Sequence, residues 1–223
     1  MGEIGDAYHG VRMRVNELVV DAGVSAADAT APATPEWTVR ELLAHLAGVT
    51  ADIVQGNLDG VGTDPWTAQQ VVARRDRGVE ELLAEWNEHG AAVESMADQF
   101  GRSGAQLVTD ATTHEHDIRG ALGRPGARDS DAVAVAFQYL GDAVGHDLDA
   151  AGRGALVAHH DGGTATFGSG EPAFALRTTR FEFLRATTGR RSAAQIAALD
   201  WDGGARSDLV LARFTARADP LEE

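Results

Sequence analysis

Residues 37–48, with the sequence WTVRELLAHLAG, decide the fold of this chain. Thr38, followed three residues later by Glu41, has the pattern of a helix N-cap with a capping box. The leucines that follow recur at helical spacing and predict a helix with an apolar face that runs to about Leu58. His45 lies among these leucines, so it must find a hydrogen-bond partner in the core or bind something.

Similar apolar periodicity predicts further helices on both sides of this segment. We expect them over about residues 6–22, 79–100, 103–122 and 131–148, with a loop at about residues 59–65. Four or five amphipathic helices joined by short loops are typical of an up-and-down bundle. The sequence therefore predicts a mainly α protein, with a four-helix bundle as a domain of residues 1–150.

The pattern changes after Gly152 and predicts a small α+β domain over residues 151–223. Asp161-Gly162-Gly163 separates two short apolar segments, which is typical of a β-hairpin turn. Helical segments are expected over about residues 178–187 and 192–199. For Leu209–Ala216 the periodicity allows either a strand or a helix.

The composition excludes several kinds of chemistry. Among 223 residues there is no cysteine, and all 19 basic residues are arginines. A disulfide framework, a cysteine-based zinc finger and lysine Schiff-base chemistry are therefore excluded. The net charge of −15 argues against a nucleic-acid partner. No run of about 20 apolar residues is present to span a membrane. The acidic first residues lack a secretory signal, so we expect a cytoplasmic protein.

The densest group of chemically useful side chains lies between residues 110 and 117. On a helix, Asp110, His114 and Asp117 share one face, because they are four and three residues apart. Asp110 and His114 form a two-ligand arm for a metal, and Asp117 lies where its carboxylate can accept the other ring N–H of His114. His116 is rotated by roughly 200° from His114, so both cannot point into one site.

A metal held in a bundle needs a further ligand from a facing helix, and the candidate is His45. Each of these two features also has a simpler explanation. A core histidine such as His45 is often merely hydrogen-bonded. An Asp/His pair such as Asp110 and His114 can stabilise a surface helix. Only their combination favours a metal site. Two imidazoles and one carboxylate with an open position suit Zn²⁺, and Ni²⁺ and Fe²⁺ remain compatible with these ligands.

The segment 37–48 resembles the second-helix motif of the mycothiol-dependent maleylpyruvate isomerase family, one of the DinB-like metal-binding helical bundles. His114 to Asp117, followed by Ala-Leu-Gly-Arg at residues 121–124, is similar to a later motif of that family. Residues 180–203 resemble its small C-terminal domain. The resemblance implies His45, Asp110 and His114 as the metal ligands.

Asp110 departs from the family pattern, because the isomerases carry glutamate at this position. Aspartate is one methylene shorter. Three possibilities follow: direct binding after a shift of the helix, binding through water, or no binding at all.

The resemblance implies an enzyme that uses mycothiol, the low-molecular-weight thiol of actinobacteria. It would act as an isomerase by thiol addition and elimination, or as a thiol S-transferase, on a small, carboxylate-bearing substrate. Arg74, Arg75 and Arg77 are candidates for binding that carboxylate, although a solvated charged turn is the better explanation of that run. The alternatives are a non-catalytic, metal-containing binding or stress protein, and a regulatory protein that binds another protein.

Two other groups of residues are expected to be structural. His159 and His160, next to Asp161, are predicted to lie at an exposed turn rather than in a second metal site. The four tryptophans are predicted to anchor cores or interfaces. The oligomeric state is not encoded in any pattern of this sequence.

Overall fold

The computed structural model describes residues 2–203 and 214–223. Two compact units divide the chain: unit 1 is Met1–Gly126 and unit 2 is Ala127–Glu223. None of the helices in the described residues combines the length and the apolar character that crossing a membrane requires.

Unit 1 is built from five helices and one small hairpin. The helices are α1 (Glu3–Ala22), α2 (Val39–Gln55), α3 (Asp64–Arg74), α4 (Val79–Met96) and α5 (Arg102–Ala121). The strands β1 (Thr30–Ala31) and β2 (Thr34–Thr38) form an antiparallel pair that leads directly into α2.

Four of these helices form the predicted bundle. Helices α1 and α2 each pack against both α4 and α5, whereas α3 packs against α2. In the core, the indole of Trp86 meets the ring of Tyr8 edge-on and donates a hydrogen bond of 2.9 Å to its hydroxyl. This bond satisfies the polar atom of a tryptophan that is otherwise buried among apolar side chains. The prediction of a mainly α, four-helix bundle is confirmed.

Helix α3 was not predicted, and it changes the environment of the arginines nearby. It begins after Thr63 with Pro65 in its first turn, a position that proline favours. Arg74 lies in its last turn and is buried, not in a loop. The guanidinium of Arg74 donates two hydrogen bonds of 2.8 Å to the carboxylate of Glu85, and Arg77 donates a third of 2.7 Å.

Unit 2 is a small α+β layer. Its elements are α6 (Asp131–Ala150), β3 (Ala155–His160), β4 (Gly163–Phe167), β5 (Pro172–Arg177), α7 (Arg180–Thr187), α8 (Ala193–Ala197) and β6 (Asp200–Trp201). The sheet order is β4-β3-β5-β6, with β3 and β5 parallel and the other pairs antiparallel. The predicted hairpin is confirmed as β3–β4, and its turn follows His160.

Helix α6 belongs to unit 2, although the predicted domain boundary near residue 150 assigns it to the bundle. Phe137 on α6 lies 5.3 Å from the ring of Phe167 and 5.0 Å from that of Phe183. One turn on, a Cβ at Gly141 would come within 2.1 Å of the Phe167 ring. The helix therefore packs closely on the sheet, and the units divide after Gly126. Most of the undecided segment Leu209–Ala216 lies outside the described residues.

We predict that Glu85→Gln destabilises the protein at neutral pH but not in acid. Partial burial raises the pKa of the Glu85 carboxyl, but the hydrogen bonds and charge of Arg74, together with Arg77, outweigh it and lower the pKa. A carboxyl whose pKa is lowered by folding stabilises the fold above its ordinary value of 4.5. That contribution, about 1–2 kcal/mol, is lost as the pH falls through the folded-state pKa.

The measurement is thermal unfolding of the wild type and the variant across pH. Glu88→Gln is the matched control, since Glu88 is exposed on the same helix. A loss of stability in Glu85→Gln that persists unchanged in strong acid would contradict this assignment.

Candidate metal centre

His45 reaches its place because α2 begins at a defined residue. The Thr38 side chain accepts a hydrogen bond from the Glu41 amide, and the Glu41 carboxylate accepts one of 2.7 Å from the Thr38 amide. The predicted capping box is therefore confirmed. It sets the rotation of α2 so that His45 is only 3% exposed, on the inward face.

Helix α5 supplies the facing side chains. Asp110, His114 and Asp117 lie on one side of α5, and Asp117 is fully buried. The Asp110 side chain is 36% exposed and is therefore the most accessible member of the group. His116 is buried elsewhere on the helix and does not join them.

Three donor atoms from α2 and α5 converge on one point. One ligand atom each of His45, Asp110 and His114 lies within 4.8 Å of the other two. We call these three residues the His–Asp cluster. The His45 Nε2 atom is 3.3 Å from Asp110 Oδ2, and His114 Nε2 is 3.7 Å from Asp110 Oδ1. In a tetrahedral zinc site with Zn–N bonds of about 2.0–2.1 Å, neighbouring donors lie about 3.4 Å apart. The aspartate side chain is thus long enough to reach both histidines.

Hydrogen bonds on the far side of each ring determine which nitrogen faces the cluster. His114 Nδ1 donates to Asp117 Oδ2 at 3.0 Å, because a carboxylate can only accept. His45 Nδ1 lies 2.8 Å from Gln70 Oε1 and donates to it. Both Nε2 atoms therefore present lone pairs to the Asp110 carboxylate. Three electron-pair donors that meet in this way repel one another, and a cation between them would relieve that repulsion.

The pKa shifts of the two histidines follow from the same geometry. Burial lowers the pKa of His45, but the charge and hydrogen bond of Asp110, with a contribution from Gln70, outweigh it and raise the pKa. For His114, burial is also the largest effect, and the pKa remains lowered despite Asp117 and Asp110. The Asp110 carboxylate therefore favours a positive charge beside His45.

An indole ring borders the cluster. Trp37, the penultimate residue of β2, lies with its ring centre 5.5 Å from that of His45 and 5.7 Å from that of His114. Trp37 is half-buried. It was predicted only as a core or interface anchor. Its position one residue before the N-cap of α2 is the sequence feature that could have placed it beside His45.

The structure does not bring the other predicted candidates to the cluster. Arg74 and Arg77 pair with Glu85, and Arg75 is exposed beside Asp76. In unit 2, His159 is exposed and hydrogen-bonds to Thr164. Among the described residues, the His–Asp cluster is the one group with the geometry of a metal site.

The protein is mainly α: it consists of a helical bundle with a group of side chains that could hold a metal ion, followed by a small α+β unit. No protein-family model and no curated protein matches the chain. Among solved structures, the mycothiol-dependent maleylpyruvate isomerase is similar over 84% of this chain and 88% of its own, with a TM-score of 0.55 and 12% identity. A histidine-to-alanine mutant of that enzyme covers 84% and 87%, with a TM-score of 0.56 and 12% identity.

The comparison confirms, at the level of the fold, the resemblance carried by residues 37–48 and 114–124. The chain has the fold of the mycothiol-dependent maleylpyruvate isomerase. At 12% identity this likeness concerns the fold alone.

We predict that Co²⁺ quenches the fluorescence of Trp37. A paramagnetic ion bound between the two imidazoles would lie close to the indole, because both ring centres are within 5.7 Å of it. Titration with Co²⁺ should quench the wild type with about one equivalent, and Trp37→Phe should lose most of that quenching.

Trp201→Phe serves as the control, since the Trp201 indole is buried and donates a hydrogen bond to the Ile196 carbonyl. Equal quenching in Trp37→Phe and in the wild type would place the ion elsewhere in the protein.

Proposed function

We propose that His45, Asp110 and His114 bind a divalent metal ion, with Zn²⁺ as the preferred ion. The observation that supports this most directly is the convergence of two imidazole Nε2 atoms on the Asp110 carboxylate. Two imidazoles and one carboxylate form the ligand set of a catalytic zinc site, in which a fourth position stays open. The partly exposed Asp110 marks the side from which a ligand could reach that position.

We further propose that the protein uses mycothiol. A zinc ion in such a site would lower the pKa of a coordinated thiol and so favour the nucleophilic thiolate. The fold is shared with an enzyme that depends on mycothiol. The chain contains no cysteine, so any thiol that acts here must be supplied as a cofactor or co-substrate.

The residues of the chain would prepare this chemistry. Asp117 and Gln70 hold the two imidazoles as neutral ligands with their Nε2 atoms directed at one point. The indole of Trp37 covers the rings and limits the access of water to them. Asp110 compensates one unit of the positive charge while leaving the solvent side accessible.

The proposed reaction is thiol addition to an electrophilic small molecule. Elimination after rotation about the former double bond would give an isomerase, whereas retention of the thiol would give an S-transferase. We propose a carboxylate-bearing substrate from the name of the fold neighbour's substrate, maleylpyruvate. The pairing of Arg74 and Arg77 with Glu85 does not support them as its carboxylate partners.

We predict that the tag-free protein binds about one zinc ion per chain and that His45→Ala abolishes this binding. The variant removes one of three donors and the partner of Asp110. Elemental analysis after zinc loading and dialysis is the measurement. His146→Ala is the control, because His146 is exposed on α6. If the wild type retains no zinc, the proposed centre does not exist.

We predict that the zinc-loaded protein accelerates alkylation of mycothiol by a thiol-reactive dye below neutral pH. We also predict that it isomerises maleylpyruvate only when mycothiol is present. Because the chain has no cysteine, all thiolate reactivity in the assay belongs to the added thiol. The His45→Ala variant should show the background rate. Zinc binding without any thiol activation would identify a non-catalytic, metal-containing binding protein instead.

A further inference from the structure

Helix α3 brings one polar side chain to the back of the His–Asp cluster. Gln70 is 2% exposed and lies at the contact between α2 and α3. Its Oε1 atom is 2.8 Å from His45 Nδ1, on the side of the ring that faces away from Asp110. A buried amide in this position can control which nitrogen of the imidazole carries the proton.

We propose that Gln70 is the positioning residue that makes His45 a metal ligand, and that Asp52 fixes Gln70 in the required orientation. This inference rests on the proposed metal-binding function of the His–Asp cluster. It assigns a role to a helix, α3, that contributes no ligand of its own.

Asp52 determines the direction of the Gln70 amide. The Gln70 Nε2 atom donates a hydrogen bond of 2.7 Å to Asp52 Oδ2, and Asn57 donates one of 2.9 Å to Asp52 Oδ1. A carboxylate has no proton to donate, so the NH₂ group of Gln70 must point at Asp52 and the amide oxygen at His45. The oxygen accepts from Nδ1–H, which leaves the lone pair on Nε2, the atom that faces Asp110.

The close approach of α3 to α2 depends on the absence of a side chain at Gly48. A Cβ atom at position 48 would lie 2.5 Å from Cβ and 2.7 Å from Cγ of Gln70. Gly48 is three residues after His45 on α2, so the space that it leaves is next to the ring. The Arg74 guanidinium donates a hydrogen bond of 3.3 Å to the Gln70 carbonyl and holds the following turn of α3.

The two imidazoles are supported differently. His114 donates to a charged group, Asp117, whereas His45 donates to a neutral amide. A Zn²⁺ ion with Asp110 and Asp117 already has a total charge of zero. Gln70 transmits the orienting effect of Asp52 to His45. It also keeps the negative charge of Asp52 one side chain further from the ion. The centre therefore keeps its attraction for an incoming thiolate.

The test compares Gln70→Leu with Gln69→Leu. Gln69 is exposed on the same helix, so the control carries the same substitution one residue away. We expect Gln70→Leu to bind zinc about 10–100-fold more weakly than the wild type in competition with a chromophoric chelator, and Gln69→Leu to be unchanged. Asp52→Asn should weaken binding to a smaller extent, because an asparagine can accept or donate and permits the Gln70 amide to reverse.

A measurement on the metal-free protein separates this inference from the proposed function. The ¹⁵N shifts of the two ring nitrogens of His45, followed across pH, show which nitrogen carries the proton once the ring is neutral. We expect the Nδ1–H form in the wild type and a loss of that preference in Gln70→Leu. If the wild type binds no zinc, the proposed function fails, while the tautomer still decides whether Gln70 controls His45.

Thermal unfolding shows whether each variant is folded. Asp52→Asn is the alternative should Gln70→Leu not fold, because it is nearly isosteric and partly exposed. A folded Gln70→Leu or Asp52→Asn protein with wild-type zinc affinity and an unchanged His45 tautomer would overturn the proposal.

Discussion

The contact between His45 and the Asp110 carboxylate is the interaction around which the candidate site in unit 1 is arranged. It joins two helices, α2 and α5, across the interior of a bundle, with 3.3 Å between Nε2 and Oδ2. A buried imidazole beside a carboxylate is costly unless a proton or a metal ion compensates the negative charge. The capping box, the indole and the hydrogen bonds to Asp117 and Gln70 all orient side chains around this contact.

The sequence contained much of the candidate site. Helical spacing placed Asp110, His114 and Asp117 on one face, and the leucines around His45 showed that this histidine points inward. These inferences needed only the periodicity of two helices. They could not show that the aspartate, one methylene shorter than glutamate, reaches both rings, because that depends on the distance between α2 and α5.

Two parts of the structure were not revealed by the sequence, for different physical reasons. Helix α3 escaped prediction because two of its three inward positions are polar, Gln70 and Arg74, so its apolar periodicity is weak. The amphipathic face of α6 was recognised, but amphipathicity does not say which surface a helix covers. The contacts of its Phe137 with Phe167 on β4 and Phe183 on α7 assign it to unit 2.

The missing side chain at Gly48 has a consequence for how the site can vary among related chains. A Cβ at position 48 would clash with the Cβ of residue 70, so an alanine or larger residue at 48 demands a glycine at 70 or a displacement of α3. The two positions are expected to change together, although neither supplies a ligand. A search pattern that joins the glycine of α2 to the glutamine of α3 would therefore distinguish relatives with this histidine support from those that orient the ring by other means.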